Sequence, residues 1–147
     1  MKRTCADIQQ RASNAENEYR GRTDLLRSRL YLLSGKDRLL MTMYLEYGNS
    51  FRQIARLTGT CDTLIARRIH KLTEKLTNGP YIRCLRNRSQ FTRTEMAIAK
   101  DYFLSGLSLR KIAAKQQMSL YRVRQILKKV RQVTSTTELD RRRAGDG

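Results

Sequence analysis

Tryptophan is absent from the chain, proline occurs once (Pro80) and histidine once (His70). Acidic residues are scarce: 13 Asp and Glu stand against 31 Lys and Arg, a net charge of +18 over 147 residues. No apolar run approaches the roughly 20 residues that cross a bilayer. The basic start, Met1-Lys2-Arg3, has no apolar stretch behind it, which argues against a secretory signal. Cys5, Cys61 and Cys84 are odd in number, widely spaced and without a Cys-x-x-Cys pair. That pattern excludes a disulfide framework and a zinc site and suits a reducing, cytoplasmic setting. One histidine gives little material for a His-based metal site or a Ser-His-Asp triad. Neither a GxxxxGK[ST] nor a GxGxxG phosphate loop is present. We therefore expect no enzyme, no cofactor, no metal and no membrane partner.

What is present points to helices and to a polyanion. Hydrophobic residues make up 39% of the chain, enough for a core. Alternating β-branched runs are missing, while Leu, Arg, Lys, Gln and Ala abound, so the reading is all-α. A charge of +18 on a chain this short repels itself unless an anionic partner neutralises it. Nucleic acid is the first candidate for that partner and an anionic membrane surface the second.

A shift of 58 residues superposes two segments without a gap. Ser34 and Asp37 fall on Thr92 and Glu95, Leu40 on Ile98, Tyr44 on Tyr102, and Gly48 on Gly106. Ser50, Arg52, Ile54 and Ala55 fall on Ser108, Arg110, Ile112 and Ala113, and Ile65, Ile69 and Leu72 on Val123, Leu127 and Val130. Each unit reads as three helices. Ser34 with Asp37, and Thr92 with Glu95, cap a first helix over 35–47 and 93–105. Its buried stripe in the first unit is Leu39, Leu40, Met43, Tyr44 and Tyr47. Gly48 and Gly106 end these helices. Ser50 and Ser108 cap a short second helix, 51–57 and 109–115. Cys61 and Ser119 open a third, 62–76 and 120–132.

The spacing from Ile54 is that of a helix-turn-helix: a small residue at +1 (Ala55), the turn glycine at +5 (Gly59), a cap at +7 (Cys61), then buried Ile65, Ile69 and Leu72. From Ile112 the same steps give Ala113, Gln117, Ser119, Val123, Leu127 and Val130. Gln117 in place of glycine predicts a less regular second turn. Residues 50–76 carry six Lys or Arg and two acids, net +4, whereas 108–133 carry eight and none, net +8. With Val123, Leu127 and Val130 inward, the third helix of the second unit presents Leu120, Tyr121, Arg124 and Gln125 outward. Arg124 suits guanine, Gln125 adenine, and Tyr121 a thymine methyl or a phosphate. In the first unit Thr63 and Arg67 are the base-reading candidates. Phosphate contacts are assigned to Ser50, Arg52, Arg68, Lys71, Ser108, Arg110, Arg122, Lys128 and Lys129.

Ser108–Arg131 resembles region 4 of bacterial sigma-70 factors, in which a Val/Ile-Arg-Gln-Ile core follows a Ser/Thr cap as Val123-Arg-Gln-Ile126 follows Ser119 here. Ser34–Leu76 is similar, with Tyr44-Leu-Glu-Tyr-Gly48 resembling the helix ahead of the motif. The resemblance implies major-groove reading of promoter-like DNA by Tyr121, Arg124 and Gln125. The position of Leu120 is often basic in that family and that of Tyr121 often acidic, so the implied bases differ from the family's usual ones. The chain has no room for the polymerase-binding, DNA-melting region of a working sigma factor. Serine-recombinase DNA-binding domains have a comparable motif, similar at Ser119-Leu-Tyr-Arg122, but the catalytic domain is missing.

The expected organisation is an N-terminal segment over 1–22, partly helical or disordered, a first unit over 23–77, and a basic linker over 78–91. A second unit over 92–133 and a disordered tail over 134–147 follow. Ile8, Ala12, Ala15, Tyr19, Leu26, Leu30 and Leu33 recur at near-heptad spacing, which allows a dimer. Gly21 and the polar run at Asn14 favour instead a helix only over 23–33. The fold expected is thus all-α, two three-helix helix-turn-helix units in tandem with an N-terminal helix. The function expected is sequence-specific binding of double-stranded DNA for transcription regulation, in the nucleoid of a bacterium or in its phage, by a monomer or homodimer. A non-specific architectural DNA coat and an accessory protein docking on RNA polymerase are the alternatives. An RNA binder would need exposed aromatic platforms that the sequence does not offer.

Overall fold

The computed structural model describes residues 4–145, and among them every regular element is helical. The chain divides into two compact units at His70–Lys71. The division falls inside a helix, not in a linker after residue 77.

The first unit opens with α1 (Cys5–Ser28), then a 3-10 turn (Leu30–Leu32), α2 (Gly35–Leu45), α3 (Phe51–Thr58) and the start of α4 (Asp62–Asn78). The N-terminal segment is therefore helical from Cys5, where a helix only over 23–33 was expected. A reciprocal cap starts it: Thr4 Oγ1 accepts from the Asp7 amide at 3.3 Å, and the Asp7 carboxylate accepts from the Thr4 hydroxyl at 2.8 Å. The expected stripe on α2 is half right. Leu40 and Met43 are buried and Tyr44 half-buried, but Leu39 and Tyr47 are exposed and Met41 and Leu45 take core positions. α2 packs on α1 and the 3-10 turn on one side and on α3 on another. A helix apolar on most sides and buried on two does not reveal its phase by period alone.

The second unit contains the end of α4, then α5 (Pro80–Arg86), a 3-10 turn (Arg88–Gln90), α6 (Arg93–Phe103), α7 (Leu109–Gln116) and α8 (Leu120–Gly145). Residues 78–91, expected as a linker, carry α5, with Tyr81, Ile82 and Cys84 buried. Proline is favoured at the first helical position, so Pro80 begins a helix here. Gly79 precedes it, and a Cβ there would lie 2.6 Å from the Lys75 carbonyl oxygen. The stretch expected as a disordered tail continues α8 to Gly145; residues 146–147 lie outside the described part. α5 packs on α8, Thr134 is buried, and Thr137 bonds Asn87 at 3.2 Å, which gives the extension a partner.

The 58-residue offset holds in three dimensions. α6, α7 and α8 begin 58 residues after α2, α3 and α4, and the hydrogen bonds that end the helices repeat as well. Asn49 donates to the Met43 carbonyl at 3.1 Å, and Leu107 to that of Asp101 at 3.0 Å. The turn expected to be irregular is not. Gly59 (φ 70°, ψ 28°) and Gln117 (φ 53°, ψ 47°) are both left-handed, and the next amide in each case reaches the alanine carbonyl at 3.0 Å, Thr60 to Ala55 and Met118 to Ala113. Gln117 is the only non-glycine residue at positive φ among the described residues. Its Cβ strains a conformation that glycine adopts freely. Gln117→Gly is therefore expected to stabilise the second unit by up to about 1 kcal/mol, and Gly59→Ala to destabilise the first by about 1 kcal/mol. No Cβ clash awaits the alanine, so backbone conformation alone sets that cost. Urea unfolding of the variants checks both, and a destabilised Gln117→Gly would refute the strain.

The core of the second unit is Ile98, Ile112, Val123 and Leu127, with Tyr102, Leu107, Leu109 and Met118 packed around it. The equivalent Leu40, Ile54, Ile65 and Ile69 are buried in the first.

Candidate nucleic-acid interface

α8 is held at its start and along one face. Ser119 Oγ accepts from the Arg122 amide at 3.2 Å. Val123, Leu127 and Val130, exposed by 0%, 3% and 1%, fix the helix phase. Tyr121, Arg122, Arg124, Gln125, Lys128 and Lys129 are consequently exposed, as the sequence predicts. Tyr121 is 71% exposed, as open as Tyr47 at 70% in the first unit. Arg122, Arg124 and Lys128 have no carboxylate partner among the described residues, so their charge is available. Ser108 caps α7 by accepting from the Lys111 amide at 3.3 Å, and Arg110 stands exposed in the first turn beside it.

Arg124, Lys128 and Arg131 line a cleft of about 630 Å³ with Tyr102, Leu109 and Ser135. Arg131 is not among the residues that the sequence pattern assigns to DNA. It lies 5.6 Å over the Tyr102 ring and donates to its hydroxyl at 3.1 Å, which orients its guanidinium. Its spacing of three from Lys128 and seven from Arg124, one helix face, is the signal that could have found it.

Two proposed phosphate ligands are already matched within the fold. Lys129 Nζ sits 3.0 Å from the Glu95 carboxylate, and Arg68 2.7 Å from that of Asp37. Asp37 and Glu95 are equivalent under the repeat and were expected only as capping acids. Each in fact ties its unit's first helix to the third. Glu95 does both: it also completes the cap, accepting from the Thr92 amide at 3.1 Å while Thr92 Oγ1 accepts from the Glu95 amide at 3.2 Å. Ser34 makes no cap bond, because Gly35 (φ 56°) turns the chain just after it. A third pair, Lys115 to Asp101 at 2.9 Å, has Leu57 and Met43 at the equivalent positions of the first unit.

Burial pushes the Glu95 carboxyl up, but the Thr92 amide and the Lys129 ammonium outweigh it and hold the pKa below its ordinary 4.5. A depressed carboxyl contributes stability above its unfolded pKa and loses it as pH falls through the folded one. The melting temperature is therefore expected to fall as pH drops below about 4.5, and Glu95→Gln to flatten that fall. Identical pH profiles for the two proteins would remove Glu95 as a cause.

The first unit offers a different face. Ser50 forms a reciprocal cap with Gln53, and Arg52, Thr63 and Arg67 are exposed. Lys71, beyond the division, is also exposed. Leu57 (69%) and Leu64 (55%) are open to solvent, and a groove of about 550 Å³ is lined by Leu39, Leu40, Met43 and Ile65 with Lys36 and Arg68 at its rim. Tyr44 stacks on Phe51 with centroids 5.4 Å apart, and exposed His70 meets the edge of Phe51 at 6.1 Å. Cys61 is exposed at the start of α4, whereas burial pushes the Cys84 thiol up to about 11. No cluster of three or more His, Cys, Asp or Glu able to hold a metal occurs among the described residues, and no described helix is long and apolar enough to cross a membrane.

No family model matches the chain, and no curated protein or solved structure does either.

Proposed function

We propose that the chain is a sequence-specific double-stranded DNA-binding protein that regulates transcription, with α3–α4 and α7–α8 serving as two helix-turn-helix units. The observation that carries this reading is the start of α8. Tyr121, Arg122, Arg124, Gln125 and Lys128 project to solvent without carboxylate partners, on a helix whose other face is locked into the core. A rigid helix with free cations and an amide is suited to the major groove, where each base pair presents a distinct donor and acceptor pattern. Arg124 donates to O6 and N7 of guanine, Gln125 pairs with N6 and N7 of adenine, and Tyr121 meets a thymine methyl. Arg122, Lys128 and the Ser108–Arg110 start of α7 hold the phosphates. Thr63 and Arg67 read in the first unit, with Ser50 and Arg52 on the backbone, and Lys71, beyond the division, meets phosphate from the second unit. Two units on one chain raise the effective concentration of the second contact.

Selection from random duplex DNA at near-physiological salt tests the reading. A bipartite motif of fixed spacing is expected. A single half-site would leave the reading to one unit. Tight, salt-sensitive binding without enrichment would replace the proposal with an architectural coat. A second reading, docking on RNA polymerase, is favoured for the first unit alone by its exposed Leu57 and Leu64 and by its groove lined by Leu39, Leu40, Met43 and Ile65. Direct binding of polymerase by a Leu57→Ser, Leu64→Ser variant at wild-type strength would discard it.

A further inference from the structure

α1 differs from the rest of the chain in charge and in packing. Its 24 residues hold Asp7, Glu16, Glu18 and Asp24 against Arg11, Arg20, Arg22 and Arg27, a net charge of zero in a chain of +18. A neutral helix has little to offer a phosphate backbone. Every residue from Thr4 to Arg22 is exposed, Ile8 by 56% and Tyr19 by 68%. Most helical stability in proteins comes from packing one face, and this stretch packs none within its own chain.

The residue pattern of α1 suits pairing with a second copy. Ile8, Ala12, Ala15, Tyr19 and Arg22 follow alternating steps of four and three, the seam of a coiled coil, and the next step, Leu26, is already buried within its own unit. We propose that the protein dimerises through α1 paired antiparallel with α1 of a second copy. Ile8 then lies against Tyr19 of the second copy, and Ala12 against its Ala15. Small side chains at the centre let the helices approach, and large ones close both ends. The flanking positions settle the direction. Arg11 of each copy faces Glu18 of the other, giving two symmetric ion pairs, and neither residue has an ion-pair partner within its own chain among the described residues. A parallel pair would instead set Arg22 against Arg22 in the seam, a like-charge layer. The proposal does not depend on DNA binding and is tested without DNA.

Sedimentation equilibrium of the full-length protein at near-physiological salt, where the repulsion between two +18 chains is screened, is expected to show a dimer. Glu18→Arg is expected to raise the dimer dissociation constant about tenfold, since two attractive pairs become two repulsive ones. Arg11→Glu should do the same although it lowers the net charge, which separates pairing from general repulsion. The combined Arg11→Glu, Glu18→Arg variant recreates both pairs in reverse and is expected to restore the dimer. In a parallel pair Arg11 would face Glu16, so the combined variant would stay dissociated. Circular dichroism of each variant monitors the fold. A wild-type monomer, an unaffected Glu18→Arg dimer, or a combined variant that fails to recover would each overturn the proposal.

Discussion

Replacing Ile112 with Ala is expected to lower the stability of the second unit by about 2–5 kcal/mol. Ile112 is fully buried and meets Ile98 of α6 and Val123 and Leu127 of α8. α7 has only eight residues, too few to persist by intrinsic propensity. Its Ser108 cap contributes about 1 kcal/mol, so tertiary packing must supply the rest. Of its residues Ile112 alone is buried, and truncation both removes transfer energy and leaves a cavity between three helices. A small domain has only about 5–15 kcal/mol in total, so the variant stands close to unfolding. Ile112→Val is expected to cost about 0.5–1.5 kcal/mol, which separates lost volume from general perturbation. Urea unfolding followed by circular dichroism measures both. A cost under about 1 kcal/mol for the alanine would mean that the surroundings collapse into the space and that α7 is held by something else.

The part of this arrangement that the sequence reveals is the part set by local chemistry. Ser50, Ser108 and Thr92 cap helices where a hydroxyl was read as a cap, because the bond spans three residues and needs no distant partner. Gly48, Gly59 and Gly106 are left-handed as expected. The repeat supplies what a single unit lacks: two copies that agree in spacing fix the inward face of α8 at Val123, Leu127 and Val130, and so the outward face. Non-local pairings were illegible. Nothing near Asp37 or Glu95 indicates that Arg68, 31 residues on, or Lys129, 34 residues on, will take the carboxylate. α5 escapes a sequence reading because Gly79-Pro80 reads as a break, and because Tyr81, Ile82 and Cys84 lie among Arg83 and Arg86 in a helix of only seven residues. Gln117 misleads in the opposite direction. The turn geometry is imposed by the packing of α7 and α8, and the residue absorbs the strain.

Alanine variants along α8 are expected to separate base reading from phosphate binding. Arg124→Ala should cost about 1–3 kcal/mol on the selected site and relax preference at one base pair, with a smaller loss on random duplex. Gln125→Ala should do the same at the neighbouring pair. Lys128→Ala should weaken all duplexes about equally and reduce the slope of log affinity against log salt by about one, the change expected when one fewer phosphate is neutralised. The decisive comparison is with Lys129, adjacent in sequence and also exposed. Its ammonium is already matched by Glu95 at 3.0 Å, so it releases fewer counterions when DNA binds. Lys129→Ala should therefore leave the salt slope nearly unchanged while lowering the melting temperature, because it strips Glu95 of its partner. Fluorescence anisotropy over a salt series, paired with thermal melts, reads both quantities. Equal slope changes for Lys128 and Lys129 would mean that DNA breaks the Glu95 pair and that α8 reorganises on binding. Unchanged sequence preference in Arg124→Ala and Gln125→Ala together would remove the outward face of α8 as the reader.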